Sequence, residues 1–203
     1  MRSLSEIETT VKRASRAIGF SWGIAEEAAK SIRLLELFSL PGIKNINQYY
    51  EDKKVKKFKN LNLITEKNLS SIEAFCPVTL GVSFLDQVKS LENLKKIQFN
   101  NIAYPVIFLS FLSRASEIIG KKISIKIDEN EILLNFNVSI SSDFINKEFP
   151  KLGTNIEIKF IENHDSFTNS EWKNLYKLSE NTFVQESESL KQSAAGAGLT
   201  DND

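Results

Sequence analysis

The chain reads as an α+β protein: an N-terminal helical hairpin, then a mixed helix and largely antiparallel strand half, then a flexible C-terminal tail. Three observations carry this reading. The first forty residues repeat their apolar positions at three- and four-residue steps, the period of a helix face. Between residues 96 and 160 short runs alternate apolar and polar side chains, the period of a half-buried strand. Helices followed by a mixed helix-and-strand region, without regular βαβ alternation, favour α+β over a parallel α/β sheet.

Taken in order, Leu4, Ile7, Val11, Ala14 and Ile18 place one face of a first helix. Ser3 followed by Glu6 fits a capping box, and Gly19 fits the C-terminal stop. Ser21 can cap a second helix carrying Ala25, Ala28, Ile32 and Leu35, with Pro41-Gly42 as its end. Two helices joined so tightly must fold back on each other, and the small Ala25 and Ala28 let them approach closely. Trp22, at the second helix start, reads as an anchor into the core.

A short helix near Ile46–Tyr50 precedes a basic run, and the chain turns apolar again at Phe75. Val78, Leu80, Val82 and Phe84 alternate as in a strand, while Val78, Val82, Leu85 and Val88 fit a helix. Pro77 suits a first helical position, which favours a helix over about 77 to 90. Residues 96–99 alternate as a strand, and Pro105 opens a helix running to Gly120. Ile123, Ile125 and Ile127 form a strand that turns at Asp128-Glu129-Asn130 and returns from Ile132 to Ile140. Ile156, Ile158 and Phe160 give a further strand, and a last helix spans Ser170 to about Thr182 with Ser170 or Asn169 as its cap. The expected organisation is a helical region over 1–70 with a basic segment, an α+β core over 71–184, and a tail over 185–203. There is no internal repeat.

Composition narrows the functional classes. Lys plus Arg and Asp plus Glu both number 26, so no global field steers the chain onto nucleic acid or an anionic membrane. One cysteine and one histidine cannot build a zinc site, and Cys76 has no disulfide partner within the chain. The charged N-terminus lacks the apolar stretch of a signal peptide, and the run Val106 to Leu112 falls short of the ~20 residues of a membrane span. The expectation is a cytoplasmic protein with no metal site, and no cofactor is implied.

Four features carry candidate chemistry. Cys76 would sit at a helix N-cap, where backbone N–H groups favour a thiolate, with His164 as base and Asp165 as orienter. A lone cysteine in an apolar stretch is more often packing, and that reading outweighs the catalytic one. Lys53, Lys54, Lys56, Lys57 and Lys59, with Tyr49, Tyr50 and Phe58 nearby, outline a phosphate or nucleic-acid patch, against the commoner role of solvated surface. Glu26 and Glu27 in the first turns of the second helix suit its positive end better than an acid–base role. The terminal Gly196, Gly198, Asp201, Asn202 and Asp203 offer close backbone approach and hard oxygens, but neither the spacing of a calcium loop nor the ending of a phosphate loop.

The segments Ser3-Leu4-Ser5-Glu6-Ile7-Glu8, Trp22-Gly23-Ile24-Ala25-Glu26-Glu27-Ala28 and Gly196-Ala197-Gly198-Leu199-Thr200-Asp201-Asn202-Asp203 together resemble an uncharacterised bacterial family, a domain of unknown function. The middle of the chain departs from that family in its richness in Lys and Asn. The resemblance brings no activity with it, but it implies that the tail is a family feature that docks in a cleft or on a partner protein. Three functions follow. The first is an accessory or interaction protein acting through its tail, with Trp22 beside the tail residues as binding candidates. The second is a small-molecule enzyme with a cleft between the hairpin and the α+β half, using Trp22, Glu26, Cys76 and the terminal acids. The third is nucleic-acid binding through Lys53 to Lys59. The absence of any catalytic constellation favours the first.

Overall fold

The computed structural model describes residues 2–135, 139–142 and 148–182. The chain divides into two units, residues 1–163 and 164–203.

The first unit begins with α1 (Leu4–Ala17) and α2 (Trp22–Leu37), which pack on each other as a hairpin. Ser3 Oγ accepts from the Glu6 backbone N–H at 3.1 Å, but the Glu6 carboxylate turns outward to Arg2 at 2.9 Å, so the cap is one-sided. Gly19, at φ +104°, supplies the left-handed stop, and Ser21 caps α2. Ala25, Ala28, Ala29, Ile32 and Leu35 are fully buried. Trp22 corrects the expectation of a core anchor: 58% of it is exposed, beneath the Arg16 guanidinium at 5.7 Å. As the first helical residue it precedes the buried stripe that starts at Ala25, and so lies beyond the packed seam.

Pro41, read as the stop of α2, is the N-cap of a third helix, α3 (Gly42–Val55). This helix is much longer than the short turn around Ile46–Tyr50. Its buried stripe is Ile46, Tyr49 and Tyr50 among lysines and asparagines, too sparse to mark both ends by periodicity alone. A Cβ on Gly42 would come within 2.9 Å of Leu35 Cβ, which is why α3 can begin hard against α2.

The strand β1 (Lys67–Asn68) leads to α4 (Pro77–Leu91), so the helical alternative holds for this stretch. After β2 (Ile97–Phe99) and β3 (Ile102–Ala103) comes α5 (Pro105–Ile119), ended by Gly120 at φ +64° as expected. The strands β4 (Lys122–Ile127) and β5 (Asn130–Asn135) form the expected hairpin. The return run does not continue to Ile140. Instead β6 (Ser139–Ser142) pairs antiparallel with β5, Ile140 opposite Leu134 and Ser139 opposite Asn135. The strands β7 (Leu152–Gly153) and β8 (Ile156–Ile161) complete the unit.

Six strands form one sheet in the order β1-β2-β8-β4-β5-β6, antiparallel except for β1 with β2. A second, two-stranded sheet joins β3 to β7. One face of the larger sheet presents Ile97, Phe99, Ile123, Ile125, Ile127, Ile132, Leu134, Ile156 and Ile158 to the core shared with α4 and α5. Its other face carries Lys126, Glu131, Glu157 and Lys159. The architecture is α+β.

In the second unit α6 (Asn169–Ser179) is capped by Thr168, not by Ser170 or Asn169. Glu171 closes a full capping box, its carboxylate accepting from the Thr168 N–H at 2.7 Å. No residue of α6 is buried.

Candidate functional site

Cys76 occupies the N-cap of α4, as its place before Pro77 predicts. Its Sγ accepts weakly from the Thr79 N–H at 3.4 Å and shares a hydrogen bond with the Tyr49 hydroxyl at 2.9 Å. Only 2% of the residue is exposed. Tyr49 packs against Tyr50, Phe58 and Tyr104 with ring centroids 5.0 to 5.9 Å away, walling the thiol in aromatic carbon. Burial pushes the Tyr49 phenol far above its ordinary range, so its proton stays and is available to the sulfur. Tyr50, buried beside Ser15 and hydrogen-bonded to it, is pushed up to about 12. Tyr104 rises to about 12 through burial and through donating to Asp52 at 2.9 Å. Its three tyrosines are neutral, protonated phenols, and the cluster holds α3, α4 and α5 together. His164 belongs to the second unit.

Glu26 pairs with Lys12 at 2.7 Å and Lys30 at 3.0 Å, and those hydrogen bonds hold its carboxyl near 2. Glu27 pairs with Lys30 at 2.9 Å and with Arg114 at 2.5 Å. Burial raises the Glu27 carboxyl, yet the two donors outweigh it and keep it below its ordinary value. Both glutamates are fixed as anions that staple α2 to α1 and α5, a stronger role than the helix-dipole one expected.

The basic run is divided. Lys53 and Lys54 lie in the last turn of α3, and the remainder follows it. Lys54 pairs with Glu51 at 2.6 Å and Lys56 with Asp52 at 3.1 Å. Lys53 Nζ lies 5.1 Å over the Phe20 ring, and Lys59 Nζ lies 5.3 Å over Phe75 while donating to the Leu69 carbonyl. Lys57 remains exposed. Gly196, Gly198, Asp201, Asn202 and Asp203 lie outside the described residues.

Three surface features escaped sequence reasoning. An apolar groove of about 320 Å3 runs between α1 and α3, floored by Ile7, Val11, Ile43, Ile46 and Tyr50. A cleft of about 490 Å3 lies along the α1/α2 seam, with Trp22, Arg13 and Arg33 among its walls. On α6, Trp172, Leu175 and Leu178 are exposed, and Phe167 stacks on Trp172 at 5.5 Å. Spacing could have disclosed the last, since Trp172, Leu175 and Leu178 recur at three-residue steps. Charge was a second signal. Residues 164–203 hold seven acidic side chains and three lysines, net −4, while residues 1–163 hold 23 basic and 19 acidic, net +4. The zero total conceals this asymmetry.

Among the described residues no group of three His, Cys, Asp or Glu is placed to hold a metal ion, and no helix is long and apolar enough to cross a membrane. Residues 2–76, spanning α1 to α3 and ending at Cys76, match the model of a family described as a protein of unknown function (DUF3726). The terminal Gly-Ala-Gly-Leu motif lies beyond that match. No curated protein and no solved structure matches the chain.

Proposed function

We propose that this is an interaction protein that docks on a partner through its C-terminal unit, with α6 as the anchor and the Gly/Ala-rich acidic tail following it. The observation that carries this reading is α6 itself. An eleven-residue helix is marginal in water, and most helices of that length owe their stability to burying an apolar face. Here Trp172, at 53% exposed, Leu175 and Leu178 leave most of their apolar surface in solvent, although a capping box defines the helix start. Such a helix fits the apolar groove of a partner, read through side chains at three- and four-residue steps. The net −4 of residues 164–203 calls for a groove with a basic rim.

The test compares three forms of the full chain in pull-downs from native lysate: the intact protein, one ending at Gln192, and Trp172→Glu combined with Leu175→Glu. A partner held by the intact protein and lost by the double variant supports the reading, and its loss on truncation assigns the tail a share of the contact. Because Trp172 and Leu175 are exposed, the double variant should keep the thermal transition of the intact protein. Identical retention by all three forms would overturn the proposal.

A further inference from the structure

The α1/α2 seam, in the first unit, presents a different surface with its own chemistry. Trp22 leaves most of its indole in solvent, a large apolar area for a single exposed side chain. The groups around it are cationic, and they divide into paired and unpaired. Lys12 is neutralised by Glu26, and Arg33 by Glu8 at 2.7 Å. Arg16 donates to the Phe20 carbonyl at 3.0 Å and lies over the indole, while Arg13 is exposed, and neither has an acidic partner among the described residues. Two guanidinium groups without counter-ions thus flank an exposed indole whose ring N–H is itself a donor.

Length and sign restrict what can lie there. Eleven residues of α2 separate Trp22 from Arg33, which is about 16 Å along the helix. That span accommodates about five residues of extended peptide. Guanidinium forks match carboxylates in bidentate geometry, and the indole face receives an apolar side chain. Lys12 and Arg33 are already paired, so only Arg13 and Arg16 remain to meet an anion, which suits one or two carboxylates better than a phosphodiester track with a charge at every nucleotide.

We propose that the α1/α2 seam is a docking surface for an extended acidic segment of a partner protein, whose carboxylates meet Arg13 and Arg16 and whose apolar side chain covers Trp22. This surface is independent of the one assigned to α6.

Trp22 reports on its own occupancy. The chain has two tryptophans, so the full-length Trp172→Phe variant emits from Trp22 alone. The probes are a short synthetic glutamate-rich peptide carrying one leucine, the same peptide with lysine for glutamate, and a single-stranded oligothymidine of matched length. The expected result is a saturable blue shift with the acidic peptide that weakens as salt is added, and none with the lysine peptide. Arg13→Glu, at an exposed position bonded to nothing described, should cost at least tenfold in affinity with an unchanged far-ultraviolet circular dichroism spectrum. An absent or unsaturable response, equal affinity in Arg13→Glu, or tighter binding of the oligothymidine would each overturn the proposal, the last by assigning the seam to nucleic acid.

Discussion

Arg114 of α5 donates to the Glu27 carboxylate of α2 at 2.5 Å, with about a quarter of each side chain exposed. Arg114 also reaches Ser31 Oγ at 3.5 Å, and Lys30 takes up the remaining side of Glu27. Glu26, next in sequence, holds Lys12 of α1. Two consecutive glutamates therefore tie the hairpin together and tie it to α5. Partly buried pairs of this kind are screened less than exposed ones and leave a costly charge behind when broken.

Acid should loosen this junction. Glu26 titrates near 2 and Glu27 below its ordinary value of 4.5, so both folded-state values are depressed. In the window below pH 4.5 the unfolded chain then binds more protons than the folded one. The stabilisation is complete above that window and is lost as pH falls through the folded values. Urea midpoints measured between pH 7 and pH 2.5 should decline below about 4.5, and Glu26→Gln and Glu27→Gln should each flatten that decline. At neutral pH, Glu27→Gln is expected to cost about 1–2 kcal/mol through weakened charge-assisted hydrogen bonds. A decline of unchanged steepness in both variants would remove these carboxylates from the acid response.

The contact between α4 and α5 depends on one missing methyl group. A Cβ on Gly81 would stand 2.3 Å from the Phe111 ring, with no room to yield because Phe111 is fully buried. Gly81→Ala should destabilise by about 3 kcal/mol, at the upper end of overpacking costs. Phe111→Leu alone should lose about 1–3 kcal/mol, yet combined with Gly81→Ala it should recover part of the loss. Equilibrium unfolding of both single variants and the pair gives the coupling directly. Strict additivity would mean that the two residues do not share the space.

Cys76 should behave as a packed cap. Its thiol is sealed by Tyr49 and the α4 N-terminus, so a disulfide-exchange reagent such as Ellman's should modify it only as the fold opens, with rates rising steeply in urea. Cys76→Ser, which keeps a cap and a partner for Tyr49, should change stability by no more than about 1 kcal/mol. Native-state modification at the rate of a free thiol would contradict the closed pocket and reopen a chemical role for the residue.

Local signals carried much of the fold. Ser3, Ser21, Cys76-Pro77, Gly19 and Gly120 fixed helix ends because caps and left-handed stops act within a few residues of their own backbone. The alternating isoleucines of β4 and β8 marked strands because one sheet face is buried and the other carries charge. The extent of α3 was not legible, since its stabilisation comes from Tyr49 and Tyr50 meeting side chains distant in sequence, Cys76 and Ser15. The reversal between β5 and β6 was likewise decided by strand pairing. The candidate sites divide in the same way. Residue types nominated Cys76, Glu26 and the lysines, but partners decide what a titratable group does, and those partners lie 14 to 87 residues away for Lys12–Glu26 and Glu27–Arg114. The sequence by itself determined the principal helices and strands and where most of the helices stop, because those preferences are local. The tertiary structure alone decided which polar groups are neutralised and which face solvent with no counter-charge, because burial and pairing are properties of the assembled chain.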